Sequence, residues 1–587
     1  MASTKEDILQ NLTPEQKEAV IHDRGPLLIV AGAGTGKTRV ITRRIAHLIA
    51  TKKARPEEIL ALTFSDKAAG EMEERVDLLV PYGYTETWIS TFHAFGDRVL
   101  RDNALEIGLA TDFRVLTRPE QIIFFRDHLF DFPLKYFRPL GNPTKYIESI
   151  LALISRAKDE DVTPQDYLKY VQKLKKELKT DPKNKELKEE VIRQEEIALG
   201  YQKYEELMAE EGFIDFGGQI VLTLKLFRQH PSILKKYQDQ FRYILVDEFQ
   251  DTNYAQFELV KLLAEDHKNI TVVGDDDQSI YKFRGAAISN ILNFKEYYPK
   301  CKQIVLVKNY RSPQILLDTA YRLITNNNPD RLEVRNKIDK RLVAEFPPGQ
   351  PVTHLHYDSV STEADKVARL IKEKVEKREW QYQDVAILVR ANDSADPFLR
   401  ALNVENIDWK FTGGQGLYDQ PEIKLLLNFL RVVANPEDSP SLFFLATSEI
   451  YQLAATDIAI LNHYADRKKR SLYWVLKNLT NLPEEKEQLS EKAGSIIDKI
   501  LLDLEKYCKL GLNVPTGELL YTFLHDSGYL EGLTKDENLT NEEKIKNIAK
   551  FFSIIKNTSN LLKYDRVSQF VRYLDMLISA GDDPTTA

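Results

Sequence analysis

The chain has 587 residues, of which 43% are apolar and 29% are charged. This is the composition of an ordinary globular protein, and it excludes a disordered chain. The net charge of −8 excludes a uniformly basic coat for nucleic acid but not a local basic groove. No run approaches the roughly 20 apolar residues of a membrane span. The two cysteines, Cys301 and Cys508, lie far apart. We therefore expect no membrane contact and a reducing compartment, the cytoplasm.

Short apolar runs alternate with helical patterns in two zones of the chain. In the first zone, buried parallel strands are predicted at 26–31, 59–64, 243–248 and 270–275. In the second zone, they are predicted at 304–309, 352–357 and 385–390. Two stretches, about 110–210 and 407–587, are mostly helical, and the first contains a charged hairpin that turns near Pro182. The pattern predicts two doubly wound α/β domains and two helical insertions.

The segment LLIVAGAGTGKTRVI, residues 27–41, places a glycine-rich turn between a predicted strand and a predicted helix. Gly32, Gly34 and Gly36 allow backbone N–H groups to close on phosphate oxygens without Cβ clashes. Lys37 at the helix N-terminus would reach the β- and γ-phosphates, and the Thr38 hydroxyl would bind Mg²⁺. The alternative is a chance glycine-rich turn, which the flanking strand and helix disfavour.

The segment YILVDEFQDT ends a buried strand in two acids, Asp247 and Glu248. Acids at this end of a strand point into the crevice where open α/β sheets bind ligands. Asp247 suits the second shell of the metal, and Glu248 suits orienting or deprotonating the attacking water. The alternative is that these are two surface acids at a strand end. The phosphate loop in the same chain favours a nucleotide hydrolase over this alternative.

The segment LVKNYRSPQILL follows the first strand of the second zone. Arg311 fits an arginine that stabilises the charge of phosphoryl transfer, and Tyr310 could stack on an adenine. The segment also reads as a helix start, with Ser312 as N-cap and Pro313 as the first helical residue. The two interpretations are compatible because the cap would fix where Arg311 points.

Taken in order along the chain, these motifs resemble superfamily 1 DNA helicases of the UvrD/Rep type. AGAGTGKTR matches the phosphate loop of that family, whose first position is commonly alanine. The resemblance implies that NLTPEQKEAV reads the adenine through Gln16, although Thr13 stands where the family prefers asparagine. The implied nucleotide contacts in the loop are Ala31, Gly32, Ala33, Gly34, Thr35, Gly36, Lys37, Thr38 and Arg39.

Three further segments resemble the parts of these helicases that contact DNA: ALTFSDKAAGEM, STFHAF and ILVRANDSADPFLRAL. They imply DNA contacts from Thr63, Phe64, Thr91, His93, Arg390 and Asn392. A lone histidine such as His93 is otherwise more often a hydrogen-bonded loop residue.

The loop GDDDQSIYKFRGAAISNI resembles the family's connection between ATP and DNA. By this resemblance Gln278 senses the γ-phosphate and Arg284 faces the nucleotide. Tyr281 and Phe283 would face single-stranded bases, where stacking tolerates any sequence. The alternative is an aromatic pair in the core between the lobes. The three aspartates are expected near the metal and the rim of the cleft.

The resemblance predicts an α/β protein of two RecA-like P-loop lobes. The first lobe would comprise 1–109 and 211–303 with a helical insertion at 110–210, and the second would comprise 304–406 with an insertion at 407–587. Two later family motifs are not found before residue 587, so we expect an incomplete second lobe and doubtful activity of this chain alone.

The function implied is an ATP-dependent 3′–5′ DNA helicase that uses ATP and Mg²⁺. Its substrates would be single-stranded and duplex DNA, its partners DNA repair or replication proteins, and its state a monomer or weak dimer. The alternatives are a non-catalytic remnant that binds ATP and single-stranded DNA, and a P-loop ATPase that acts on protein.

Overall fold

The structure is a computed structural model in which residues 5–80, 87–280, 287–411, 416–535, 539–559, 562, 564–579, 581–582 and 584 are described. The chain forms two compact units, Met1–His354 and Leu355–Ala587. Among the helices of the described residues, none is both long enough and apolar enough to cross a membrane.

The first unit is built on a parallel sheet of six strands. In chain order the strands of the unit are β1 (Leu27–Ala31), β2 (Ile59–Thr63), β3 (Trp88–Thr91), β4 (Arg114–Leu116), β5 (Phe213–Asp215), β6 (Tyr243–Val246), β7 (Ile270–Gly274), β8 (Lys302–Leu306), β9 (Lys308–Asn309) and β10 (Val343–Ala344). The large sheet has the order β3-β2-β6-β7-β1-β8, and every neighbouring pair is parallel. The four strands predicted in the first zone are confirmed as β1, β2, β6 and β7.

Both faces of this sheet are covered, which explains why its strands are apolar along their whole length. Successive side chains of β1 point to opposite faces. Leu28 and Val30 belong to one hydrophobic core, and Leu27 and Ile29 belong to the other. All four side chains are buried. The continuous apolar run is therefore the sequence signal of a central strand between two helical layers.

The predictions for the second zone need correction. Strand β8, predicted in the second lobe, pairs with β1 in the large sheet of the first unit. Residues 352–357 and 385–390, which the structure describes, form no strand. An apolar run predicts an extended, buried segment, but it does not identify the neighbour whose N–H and C=O groups complete a ladder. The pairing of each run is therefore decided by contacts distant in sequence.

The helices of the first unit begin and end as follows, in chain order: α1 (Lys5–Leu9), α2 (Pro14–Ile21), α3 (Lys37–Ala50), α4 (Asp66–Asp77), α5 (Phe92–Asp102), α6 (Arg118–Asp127), α7 (Ile147–Asp159), α8 (Pro164–Thr180), α9 (Lys185–Glu210), α10 (Phe216–Gln229), α11 (Pro231–Gln240), α12 (Tyr254–Ala264), α13 (Ser289–Leu292), α14 (Phe294–Tyr297), α15 (Gln314–Ile324) and α16 (Leu332–Arg335). Helices α8 and α9 form the predicted charged hairpin around Pro182.

The helical insertion has a hydrophobic core of its own, in which Phe125 stacks on Phe132 with ring centroids 3.9 Å apart. It also contains β4, which pairs with β5 in a small parallel sheet. The sequence shows no apolar run long enough to predict these three-residue strands. At the base of the insertion, Lys158 is buried and pairs with Asp215 at 2.8 Å and with Glu205 at 2.7 Å.

The second unit is mainly helical in its described residues. Its helices are α17 (Val360–Glu376), α18 (Asp396–Val404), α19 (Pro421–Ala434), α20 (Ser439–Thr447), α21 (Ala455–Lys468), α22 (Leu472–Lys477), α23 (Pro483–Glu487), α24 (Ala493–Gly511), α25 (Thr516–Asp526), α26 (Tyr529–Lys535), α27 (Leu539–Ser559) and α28 (Val567–Ser579). Helix α19 is central because Phe429 stacks on Phe523 of α25 and Arg431 pairs with Asp575 of α28.

Candidate functional site

The candidate site lies at the carboxyl edge of the large sheet. Because all six strands are parallel, the segments that follow them emerge at the same edge, where α/β proteins bind ligands. The phosphate loop follows β1, the acid pair follows β6, and the aspartate loop follows β7. Thr63 and Thr91 close β2 and β3. The sheet thus collects motifs that lie up to about 240 residues apart in the sequence.

The phosphate loop leads from β1 into α3 through two residues with left-handed backbone. Gly34 has φ of 75° and Gly36 has φ of 88°, a region that glycine adopts without steric cost. Gly36 is the N-cap of α3 and supplies no side-chain cap. The first N–H groups of α3, which no helical carbonyl can accept, are thereby left for an anion. The loop fits a nucleotide phosphate.

Lys37 and four other residues form a closed ring of hydrogen bonds, of which the Lys37 ammonium group is one member. Lys37 Nζ donates to Glu248 Oε2 at 2.7 Å and to Gln278 Oε1 at 3.0 Å. Gln250 Nε2 donates to the same Glu248 oxygen at 2.8 Å, and Gln250 Oε1 accepts from the Asp275 N–H at 3.0 Å. Gln278 Nε2 donates to Asp275 Oδ2 at 2.8 Å, which closes the ring. The predicted lysine, water-activating acid and γ-phosphate sensor are thus in direct contact.

The acid pair differs in exposure and in backbone geometry. Asp247 is buried, and its Oδ1 accepts the Glu248 N–H at 3.0 Å. Burial, and then the charge of Glu248, raise the pKa of Asp247 to about 6. A divalent cation would stabilise the charged form of such a carboxyl, so Asp247 fits the predicted Mg²⁺ site. Glu248 has φ of 47°, a left-handed conformation that is uncommon for a residue with a side chain and that recurs at functional sites.

The segment that carries Tyr310 and Arg311 rests directly on the phosphate loop. Asn309 Nδ2 donates to the Ala33 carbonyl at 2.6 Å, and the Tyr310 N–H donates to the Gly34 carbonyl at 2.9 Å. A Cβ atom placed on Gly34 would lie 2.7 Å from Arg311 Cβ. Arg311 is therefore held beside the loop by its backbone.

The Tyr310 side chain is 42% exposed, so its predicted stacking on adenine stays a prediction. Helix α15 begins at Gln314 with Pro313 as its N-cap. The predicted cap at Ser312 is therefore wrong. The Ser312 N–H donates to Asn309 Oδ1 at 2.8 Å. The Arg311 N–H donates to the same oxygen, so Asn309 holds the turn before the helix.

Gln16 lies on α2 and also contacts the phosphate loop. Its Nε2 donates to the Thr35 carbonyl at 2.9 Å, and its Oε1 accepts from the Thr13 N–H at 3.1 Å. Thr13 completes a capping box by accepting from the Gln16 N–H at 3.2 Å. Thr13 is thus the N-cap of α2, at the position where the family prefers asparagine. The adenine-reading role of Gln16 remains a prediction.

A cavity of about 510 Å³ opens beside the acid pair. Its wall includes four of the predicted DNA contacts, Thr63, Phe64, Thr91 and His93, together with Asp247, Glu248, Ser155, Asp159, Phe216, Asp251 and Asn253. The hydroxyl oxygen of Thr63 and one carboxylate oxygen of Asp251 are buried there and have no hydrogen-bond partner among the described residues. Two buried oxygens at the cavity wall are thus left for a ligand to pair with.

Within this cavity the aromatic residues differ in exposure. Phe64 is 41% exposed. His93 meets Phe216 edge to face at 5.9 Å, and burial lowers its pKa. A neutral imidazole next to an aromatic ring can contact a base or a sugar without a charge. DNA contact by these residues stays a prediction.

Five predicted residues are not among the described residues of the first unit. Tyr281, Phe283 and Arg284 lie outside the described residues. Arg390 and Asn392 belong to the second unit, where both are exposed.

Several residues of the site were not singled out by sequence reasoning. Gln250 lies inside the acidic motif and Asn309 directly precedes Tyr310, so their motifs could have indicated them. Leu342 approaches Gly32, and Lys340 contacts the aspartate loop, although nothing in their local sequence indicates a site.

The parallel sheet, the phosphate loop after its first strand and the acid pair after β6 define a P-loop nucleotide hydrolase. Residues 12–299 match the family model for the UvrD/REP helicase N-terminal domain, and residues 304–577 match that for the UvrD-like helicase C-terminal domain. The chain belongs to the UvrD/REP helicase family.

Similar proteins of known name cover almost the whole chain. The ATP-dependent DNA helicase PcrA of Bacillus subtilis (strain 168) is 34% identical over 552 residues, which are 94% of this chain and 70% of that protein. PcrA of Staphylococcus aureus (strain Mu50 / ATCC 700699) is 34% identical over 554 residues, with the same coverage. PcrA of Leuconostoc citreum is 33% identical over 557 residues, or 94% of this chain and 69% of that protein.

The family resemblance and the fold class of two RecA-like α/β lobes are confirmed by these matches. The prediction that the C-terminal motifs are absent, and that activity is doubtful for this reason, is contradicted because the C-terminal domain model extends to residue 577. That prediction relies on two short motifs, whereas the domain model matches the chain over residues 304–577.

Proposed function

We propose that this chain is an ATP-dependent DNA helicase that hydrolyses ATP with Mg²⁺, translocates 3′ to 5′ on single-stranded DNA and unwinds duplex DNA. One observation carries the proposal: Glu248 contacts Lys37 of the phosphate loop and also lines the cavity that holds the predicted DNA contacts. A shift of Glu248 caused by bound nucleotide would therefore change the DNA cavity, and a shift caused by bound DNA would change the nucleotide site. The family membership supports the same conclusion.

The proposed roles follow from the contacts. Lys37 and the N–H groups at the start of α3 bind the phosphates, and Gln278 contacts the γ-phosphate once Lys37 turns toward it. Glu248 accepts the proton of the attacking water, and Arg311 beside Gly34 stabilises the charge of transfer. Asp247 and Thr38 would hold Mg²⁺, which neutralises phosphate charge when bound.

The proposed DNA contacts in the first unit surround the cavity. Phe64 is 41% exposed, and the Thr63 hydroxyl, which has no hydrogen-bond partner among the described residues, could pair with a phosphate or sugar. Stacking and backbone contacts of this kind bind single strands without sequence preference. We therefore propose stimulation of ATP hydrolysis by single-stranded DNA of any sequence, with Tyr281 and Phe283 as additional stacking residues and Arg390 and Asn392 as contacts from the second unit.

The test compares the wild-type chain with Lys37→Ala in two assays. ATP hydrolysis is measured with and without a dT oligonucleotide, and unwinding is measured on duplexes that carry a single-stranded tail at either the 3′ or the 5′ end. We expect stimulated hydrolysis and unwinding of the 3′-tailed duplex by the wild type, and neither activity from Lys37→Ala. Both proteins should bind the oligonucleotide, since Lys37 faces the nucleotide side of Glu248.

Other results would identify a different function. DNA binding without any hydrolysis by the wild type would favour a non-catalytic remnant. Hydrolysis that DNA does not stimulate would favour an ATPase that acts on protein. Unwinding of only the 5′-tailed duplex would reverse the proposed polarity.

A further inference from the structure

Three consecutive carboxylates, Asp275, Asp276 and Asp277, converge in the loop after β7. An oxygen of each lies within 4.8 Å of the other two. Asp275 and Asp276 are buried, and Asp277 is partly buried. Three like charges at this separation and depth repel one another strongly, so the arrangement requires positive charge close by.

The positive charge comes from a segment more than 50 residues further along the chain. Lys340 Nζ lies 2.8 Å from Asp275, 2.5 Å from Asp276 and 2.6 Å from Asp277. Arg331 makes a two-pronged contact with Asp277, at 2.8 Å from Nε and 2.6 Å from the terminal nitrogen. The Leu332 N–H donates to Asp276 Oδ2 at 2.8 Å. We call this set of contacts the aspartate clasp.

The clasp occupies the place that a metal ion could otherwise take. The side chain of Lys340 is only 6% exposed and points one ammonium group at all three carboxylates. Although burial opposes a charged lysine, the three carboxylates raise the pKa of Lys340 above its usual value, so it stays charged. This ammonium group already provides the cation that the three carboxylates need.

The clasp connects to the nucleotide site through Asp275. One carboxylate oxygen of Asp275 accepts from Lys340, and the other accepts from Gln278 Nε2 at 2.8 Å. Gln278 in turn accepts from Lys37 Nζ at 3.0 Å. Asp275 thus has one oxygen for the clasp and one for the γ-phosphate sensor. Without the ammonium group, the repelled carboxylates would separate and Gln278 would lose its fixed partner.

The clasp also anchors the segment that covers the phosphate loop. Leu342 lies two residues after Lys340, and its side chain is 2.9 Å from where a Cβ of Gly32 would be. Strand β10 then pairs with β9, which ends at Asn309 beside the loop. Displacement of Lys340 would therefore disturb both the sensor and the residues over the phosphates.

We propose that Lys340 is a positioning residue for ATP hydrolysis, which holds Asp275 so that Gln278 is aligned with Lys37 and the γ-phosphate. Arg331 supports it by holding Asp277. The inference rests on the proposed ATPase function. It assigns Lys340 no contact with the nucleotide, so the effect of its removal should pass through Gln278.

The experiment is a double-mutant cycle of Lys340→Met and Gln278→Ala in the full chain, with kcat and KM for ATP measured at saturating dT oligonucleotide. Lys340→Met should lower kcat about 10²-fold, since a misplacement of about 1 Å can cost that much, with a smaller change in KM. The double variant should be no slower than the slower single variant. Lys340→Arg should recover part of kcat, because it keeps the charge but changes the geometry.

The matched control is Lys158→Met, which removes another buried lysine that pairs with two carboxylates in the same unit. It should lower the melting temperature and leave kcat per folded molecule unchanged. If Lys340→Met does not fold, the cycle is run with Lys340→Arg.

Effects on kcat that multiply in the double variant, or a folded Lys340→Met with wild-type kcat, would overturn the inference while leaving the ATPase assignment intact. A wild-type chain that does not hydrolyse ATP would overturn both.

Discussion

Gly34→Ala should separate the cost of backbone strain from the cost of disturbing the site. At Gly34 the backbone is left-handed, and an alanine there costs about 1–2 kcal/mol in strain. Its Cβ would also lie 2.7 Å from Arg311 Cβ and 2.8 Å from Asn309 Nδ2. Carbon atoms normally approach to about 3.5–4.0 Å, so the 309–311 segment must move away by roughly 1 Å.

This movement would strain two hydrogen bonds, from Asn309 to the Ala33 carbonyl and from the Tyr310 N–H to the Gly34 carbonyl. Each contributes about 0.5–1.5 kcal/mol, so the site should lose about 1–3 kcal/mol beyond the strain. Because Arg311 moves with the segment, we expect kcat/KM for ATP to fall about 10²-fold.

The matched control is Gly108→Ala, since Gly108 has φ of 73° and its Cβ would meet no atom within 4 Å. Both variants are compared by thermal unfolding and by DNA-stimulated ATP hydrolysis. Gly108→Ala should show the strain alone, with normal kinetics. Equal stability and equal kcat/KM in the two variants would refute the argument that the 309–311 segment must rest on the phosphate loop.

Three further predictions test other parts of the site. Glu248→Gln should bind ATP but hydrolyse it about 10²–10⁴-fold more slowly, because a carboxamide cannot take the proton of water. Asp247→Asn should instead raise the Mg²⁺ concentration that ATP hydrolysis requires. If the two variants show each other's phenotype, the two roles are reversed. Tyr281→Ala with Phe283→Ala should weaken dT oligonucleotide binding by about 1–3 kcal/mol per unstacked base, measured by fluorescence anisotropy; a lower melting temperature with unchanged affinity would indicate core packing instead. Burial raises the pKa of Asp159 to about 6, so the folded state binds this proton more tightly than the unfolded state and stability is lost as pH rises from about 4 to 6. Asp159→Asn should therefore gain melting temperature relative to wild type between pH 4.5 and 7.5, and a difference independent of pH would contradict the assignment.

The sequence alone was sufficient for the local parts of the first unit. Continuous apolar runs predicted β1, β2, β6 and β7, because a strand buried on both faces has no polar side to alternate. The spacing of glycines before Lys37 predicted the phosphate loop. Asp247 and Glu248 directly follow the run that forms β6. They were therefore predicted at the carboxyl edge, because the carboxyl ends of parallel strands meet at one edge of the sheet.

Contacts between residues that are distant in sequence depend on the folded structure. The run that forms β8 had the same apolar character whether it joined the first sheet or the second, and its pairing with β1 settled the choice. The roles of the three aspartates were open from their sequence, because any lysine or arginine could have neutralised them; the fold selects Lys340, 65 residues beyond Asp275. Side chains form such contacts through folding of the whole unit, and the local sequence of neither partner encodes the distance between them.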